Sequence, residues 1–326
     1  MSAFDPRPYL KEIARGKHGA RNLTREQARE LFAAIFAGEV ADMALGAILV
    51  ALRIKGENAA ELMGMMEALA PHVHPLRFPA CLAQPVLVPT YNGSRKLPNL
   101  VPLMALLLAR EGVPVVLHGV AQEPQRVGTF EVLALLGHHP VTMIEEAESR
   151  LEQHLVAPVP LGVLSLPLAR LLEARLHVGV RNSGHTLAKL LLPGGVQASS
   201  ACRLVAVTHP DFLALMREYF AATPANAFLM RGVEGEAVVR LHAPQPIEQI
   251  DAQGRLVTHL IAESDKEPEL PARDAAATAA WTAQVLDGTA LAPAALIKQV
   301  AIIAAHCREA GAAARAPLKL VAARPA

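Results

Sequence analysis

The segment Tyr91-Asn92-Gly93-Ser94-Arg95-Lys96 sets two adjacent cations beside an Asn-Gly pair that favours a tight turn. It lies within 43 residues, between Glu67 and Glu111, that contain no carboxylate side chain. With 30 Asp and Glu among 326 residues, such a stretch would ordinarily hold roughly four. A second acid-free window, Ala174 to Pro210, carries Arg175, Arg181, Lys189 and Arg203 together with His177, His185 and His209. Cations without neighbouring acids suit the binding of anions, and the two windows predict a basic surface on an otherwise near-neutral chain.

Each residue also has a plainer reading. Arg95 and Lys96 are either solvated loop cations or phosphate contacts. His118, before Gly119 at a strand end, is either a polar residue satisfying backbone groups or a phosphate donor. No Cys, Asp or second His stands near it at metal spacing, and no metal or cofactor is expected. His185 is equally a helix cap or a phosphate donor. His138-His139 before Pro140 reads as a loop pair. Tyr91 is a weak candidate for stacking on a base, because three Tyr and one Trp make no aromatic platform. Arg7, Lys11, Arg15, Lys17, Arg21, Arg25 and Arg29 recur every two to four residues; such a stripe is ordinarily a solvated helix face, and in a dimer it would extend a groove.

A formal charge of +1 excludes a nucleic-acid coating protein of strongly basic type, so any electrostatic function must come from local clustering. Hydrophobic residues make up 52% and aromatics 4%, which describes a core of Ala, Leu and Val. Cys81, Cys202 and Cys307 are odd in number and far apart, which fits a reducing compartment and argues against a disulfide framework. Met1 to Leu10 contains Asp5 and two prolines instead of an apolar signal core. Apolar runs such as Leu103 to Ala109 are far short of a membrane span. The expectation is a cytoplasmic protein without membrane contact.

The elements that must position these residues follow from periodicity. Thr24 with Gln27 forms a capping-box pattern that predicts a helix start, and Ala41 to Ile54 and Ala59 to Ala70 repeat the helical spacing. From Pro85 the texture changes: Val86 to Val88, Asn99 to Arg110 and Val113 to Leu117 read as strand, helix, strand. A β-α-β unit implies a parallel sheet whose carboxyl ends bring Tyr91 to Lys96 close to His118-Gly119. Further on, helices are expected at Gly128 to Leu136, Leu161 to Arg175, Ser183 to Leu192, Asp211 to Phe220, Ala275 to Leu286 and Pro293 to Ala310. Strands are expected at Val205 to Val207, Ala227 to Met230 and Ala237 to His242. The acid-free tail from Gly311 to Ala326 is expected to be partly disordered.

Leu23-Thr24-x-Glu26, Gly38-Glu39-Val40, Ala51 to Glu57, Val113-Pro114-Val115-Val116-Leu117-His118-Gly119 and Gly128 to Gly137 resemble, in order, motifs of the anthranilate phosphoribosyltransferase and nucleoside phosphorylase family. The resemblance spans nearly the whole chain. It implies an α/β fold with a small α-helical domain, here residues 1–75 and 163–193, that mediates dimerisation. The larger α/β domain, residues 76–162 and 194–326, would hold a central, mostly parallel sheet. The family's phosphate loop, Gly-Thr-Gly-Gly-Asp, is replaced by Tyr91-Asn92-Gly93-Ser94-Arg95, and its paired metal carboxylates by Ala237-Val238. Only a change of register would let Glu234 or Glu236 substitute for that pair.

The segment Gly179 to Leu190, with Tyr91 to Lys96, resembles the YbiB-type branch of TrpD-like proteins, for which the resemblance implies nucleic-acid binding without sequence preference. The reading is therefore a homodimer, with no catalytic residues, that grips DNA or RNA backbone through Asn92, Arg95, Lys96, His118, Arg181, His185, Lys189 and Arg203. The alternatives are a magnesium-dependent phosphoribosyltransferase or nucleoside phosphorylase of altered substrate, and a sensor of a small phosphorylated ligand.

Overall fold

A computed structural model describes residues 4–16, 18–80, 83–120, 125–223, 225–264 and 267–315. Lys17, Cys81 and the tail beyond Arg315 lie outside the described residues. Four helices open the chain: α1 (Arg7–Ile13), α2 (Arg25–Phe36), α3 (Asp42–Lys55) and α4 (Ala59–Leu69). The capping box at the start of α2 forms as the sequence predicts, with Gln27 N–H on the Thr24 hydroxyl at 3.2 Å and Thr24 N–H on Gln27 Oε1 at 3.0 Å. Asn58 and Glu61 make a second box at α4. Glu61 also accepts from Leu23 N–H and from Lys55 Nζ, which fixes the α2 and α3 ends on α4.

The chain then alternates strand and helix: β1 (Val86–Thr90), α5 (Val101–Arg110), β2 (Val115–Gly119), α6 (Thr129–Leu135), α7 (Ile144–His154) and β3 (Val156–Pro160). Four short helices follow: α8 (Leu161–Leu164), α9 (Leu166–Glu173), α10 (Arg175–Val178) and α11 (Ser183–Leu190). Next come β4 (Cys202–Val207), α12 (Pro210–Ala222), β5 (Ala227–Arg231), β6 (Ile247–Ile250), β7 (Leu256–His259), α13 (Ala275–Asp287) and α14 (Ala294–Arg315). Among the described residues seven strands form one sheet in the order β3-β2-β1-β4-β5-β6-β7; the first five are parallel and the last two antiparallel.

Alternation along the strands divides the core. Val86 and Val88 pack with α5 and α14 on one face, while Leu87 packs with the helical unit on the other, in a cluster shared with Phe32, Leu62, Leu171 and Leu187. The helical side of the sheet thus gathers α2, α4, α9 and α11 around one apolar centre.

Three departures from the sequence reading have local causes. The helix expected over Leu161 to Arg175 is broken: Ser165 caps α9 through Leu168 N–H, and Pro167, which has no N–H, is tolerated only in a first helical turn. The strand expected at Ala237 to His242 does not form. Its backbone is drawn onto α14, where Gln299 accepts from Val239 N–H and donates to Ala237 O, and β6 takes the place beside β5. β3, which the sequence reading did not foresee, carries Pro158 and Pro160 and lies at the sheet edge, where missing donors are tolerated.

Candidate functional site

At the carboxyl ends of β1 and β2 the backbones converge so closely that a Cβ on Gly119 would stand 1.7 Å from Thr90 O. The loop leaving β1 turns at Gly93, whose φ of +62° lies in the left-handed region that glycine occupies without a Cβ penalty. Ser94 then pairs with Val127 in an antiparallel bridge, N–H to O at 3.0 and 2.8 Å, tying this loop to the one before α6. The predicted neighbourhood of Tyr91 to Lys96 and His118-Gly119 is therefore present.

The charge at this loop differs from the sequence reading. The turn after β5 supplies two carboxylates. Glu236 Oε1 accepts from Asn92 N–H at 2.7 Å and Gly93 N–H at 2.9 Å, and Glu234 accepts from Arg95 N–H at 2.8 Å and Lys96 N–H at 2.7 Å. Asn92 Nδ2 closes the contact on Gly235 O at 2.9 Å. Glu236 is 1% exposed, and burial pushes its pKa up, against the pull of the Thr90 hydroxyl, the loop amides and Lys189. Acids more than 130 positions away thus occupy the amides of a loop whose own neighbours include none.

The predicted site residues separate into two groups. Arg95 and Lys96 are exposed, and Arg181 is half-buried on the connection into α11. Lys189 lies over the Tyr91 ring at 5.0 Å, with its pKa brought down to about 8 by burial, partly offset by Glu236. Asn92 is buried and spent on the Glu236 turn.

The other group is turned inward. His118 is 2% exposed, its Nδ1 is unpartnered among the described residues, and burial lowers its pKa to about 3. His185 caps α11, with Nδ1 accepting from Asn182 N–H at 3.3 Å; burial, helped by Arg181, holds it near 3 as well. Both rings are neutral near pH 7 and add no positive charge to the mouth. Tyr91 is buried, with its hydroxyl donating to His185 O at 2.5 Å, so it offers no stacking face.

Arg203 lies at the opposite, amino-terminal end of β4. It stacks 4.8 Å over Phe220 and donates to Leu190 O at 3.0 Å, which makes it a buried strut away from the mouth. Arg203→Ala is expected to lower stability by about 2–4 kcal/mol through lost stem packing and an unsatisfied carbonyl. Urea unfolding checks this, and anion affinity should stay within about two-fold of the parent when the variant is folded.

Sequence reasoning missed Arg126, which donates to Gly93 O at 3.2 Å and stands 3.6 Å from Glu234. It also missed Arg273, which donates to Arg95 O at 3.3 Å. Neither lies in an acid-free window. Four cations of the amino-terminal stripe have acid partners: Arg7 pairs with Asp5, Arg15 and Arg21 with Glu12, and Arg25 with Glu67.

Beside a cavity of about 540 Å³ lined by Ser94, Arg95, Arg126 and Arg273, two larger ones flank the loop. One of about 720 Å³, bordered by Tyr91, Arg126, Glu131, Glu173, Arg175 and His185, opens between the sheet and α9–α10. The other, of about 710 Å³, lies between Arg95, Lys96, Arg126, Glu234, Arg240 and His242. Among the described residues no group of three or more His, Cys, Asp and Glu could hold a metal ion, and no helix is long and apolar enough to cross a membrane.

A helical bundle joined to a mostly parallel sheet, with a phosphate-type loop at the end of β1, defines the phosphoribosyltransferase class of scaffold. The helical bundle domain of the glycosyl transferase family matches residues 7–72. YbiB of Escherichia coli is 40% identical over 299 residues, 91% of this chain and 93% of that protein. The anthranilate phosphoribosyltransferase of Thermus thermophilus is 29% identical over 67% of this chain and 64% of its own length. The crystal structure of that organism's TrpD superposes with a TM-score of 0.69 at 23% identity, covering 94% of this chain and 96% of that one. The Saccharomyces cerevisiae enzyme in complex with PRPP and Mg gives 0.68 at 14% identity over 93% and 87%. The chain belongs to the TrpD-like glycosyltransferase family 3, together with YbiB.

The positions where the resemblance expects metal carboxylates do not fit magnesium. Ala237 and Val238 offer no oxygen ligand from their side chains and are buried in the core against α14, while Glu234 and Glu236 are committed to loop amides.

Proposed function

We propose that this protein binds nucleic-acid backbone without sequence preference, through a basic groove shared by two copies, and performs no ribosyl transfer. The observation that carries the reading is the fate of the former substrate loop. Its amides are filled by carboxylates and its metal positions are apolar, while Arg95 and Lys96 face solvent, with Arg126 and Arg273 behind them. Such a site keeps charge for phosphates and lacks the ligands that would neutralise a departing pyrophosphate. The resemblance to the YbiB-type branch supports the same reading.

The groove needs a second copy, which we place against the helical unit formed by residues 1–75 and 163–193. Met43 on α3 and Leu176 on α10 are exposed there, on neighbouring elements: a Cβ on Gly46 of α3 would stand 3.6 Å from Val178 of α10. Sedimentation of the wild type and Met43→Lys tests the pairing; a wild type that stays monomeric at every concentration sinks it.

Mobility-shift titration at several salt concentrations tests the binding. Affinity should fall linearly on a log–log plot, with a slope of about −0.9 per phosphate neutralised on duplex DNA. Arg95→Glu with Lys96→Glu should weaken binding at every sequence and flatten the slope by about two per protomer. Absent or salt-insensitive binding would refute the reading. Saturable binding of phosphoribosyl pyrophosphate with magnesium, seen by calorimetry and lost in Glu234→Ala, would favour an enzyme instead.

A further inference from the structure

Amides from four residues of the loop after β1, Asn92, Gly93, Arg95 and Lys96, all end on carboxylate oxygens. Backbone N–H groups gathered on anionic oxygens are the arrangement with which loops hold phosphate. The two carboxylates differ in how firmly they are held. Glu236 lines the cavity of about 710 Å³, but it is only 1% exposed. Glu234 borders the cavity of about 710 Å³, and its side chain retains 17% exposure. Its backbone has a φ of +53°, a left-handed conformation that an L residue with a Cβ adopts under strain and that persists where surroundings enforce it. Arg126 stands 3.6 Å from Glu234 and is itself anchored to Gly93 O, so it would remain in place if that carboxylate left.

We propose that Glu234 is an internal competitor for phosphate: it occupies the Arg95 and Lys96 amides in the resting protein, and an entering phosphate group takes those amides and Arg126 in its place. The ligand class is a tetrahedral phosphate oxyanion, either free or part of a phosphodiester. The inference rests on the proposed reading only in that the loop faces phosphate; it does not require a polymer. A cradle freed in about one tenth of molecules or fewer weakens apparent affinity at least about ten-fold, and removing the carboxylate recovers that factor.

The test compares wild type, Glu234→Gly, Glu234→Asn and Glu234→Gly with Arg126→Ala. Gly and Asn both tolerate a positive φ, so either variant keeps the turn, and circular dichroism verifies folding. Calorimetry with inorganic phosphate and mobility shift with a DNA oligomer are run in parallel. Both single variants should bind phosphate about ten-fold or more tightly than wild type, and the double variant should lose that gain. Folded single variants that bind phosphate no better than wild type overturn the inference, even if DNA binding is intact. A gain in phosphate affinity without DNA binding in any variant upholds the internal competitor and instead refutes the nucleic-acid reading. A gain for both ligands identifies the phosphodiester as a source the cradle accepts.

Discussion

Glu236→Ala should lower folding stability by about 3–5 kcal/mol, the cost of orphaning two buried donors and leaving a void at an enclosed position. The side chain joins the turn after β5 to the loop after β1. Removing it strands Asn92 N–H and Gly93 N–H where little water reaches. Glu236→Gln is the informative companion. Its carbonyl oxygen can accept both bonds, and burial already disfavours a charge at this position, so about 1–2 kcal/mol is expected. Urea unfolding measures both. An Ala variant within about 1 kcal/mol of the parent would mean that water replaces the carboxylate and that the cradle is not held by it.

Acid should destabilise the fold through His118 and His185 well before the carboxylates titrate. Both pKa values fall from the ordinary 6.5 to about 3 on folding, so below pH 6.5 the unfolded chain binds protons that the native rings refuse. Stability is therefore full above pH 6.5 and is withdrawn as pH falls toward 3. Between pH 7 and 5 each ring removes about 2 kcal/mol. Glu236 acts with the opposite sign: its raised pKa favours the native state at low pH and removes that benefit as pH rises above 4.5. His118→Leu, which deletes a ring whose Nδ1 has no partner among the described residues, should reduce the loss between pH 7 and 5 by about 2 kcal/mol, the rest staying with His185 and the other histidines whose pKa burial lowers, His138, His259 and His306. Urea midpoints across that range check it; an unchanged pH dependence would show that His118 is protonated in the folded protein.

Local chemistry was legible. Thr24 and Gln27 announce a helix start because both halves of the box lie within four residues, and the capping alternative for His185 is met in the same way by Asn182. The turn at Gly93 follows from a dipeptide, and the β1-α5-β2 unit follows from short apolar runs punctuated by Gly and Pro. The break at Ser165–Pro167 is equally local, but apolar spacing continues through it and masks it.

The candidate site was half legible. Sequence placed the loop and its cations correctly, since a strand-end loop in a parallel sheet must face the carboxyl edge. It could not place their counter-charges. Glu234 and Glu236 lie 138 to 144 positions from the amides they cap, a separation that only the sheet order β1-β4-β5 closes. Arg203 shows the converse error: it shares an acid-free window with Arg181 and Lys189, yet it belongs to the wrong end of its strand.

The sequence by itself determined the scaffold, the family and a loop built to present amides and cations, because these depend on periodicity, turn residues and motif order along the chain. Only the tertiary structure decided what that loop is: a cradle already filled by the protein's own carboxylates. Electrostatics act through space, and a window free of acids along the chain carries no information about acids delivered from a neighbouring strand.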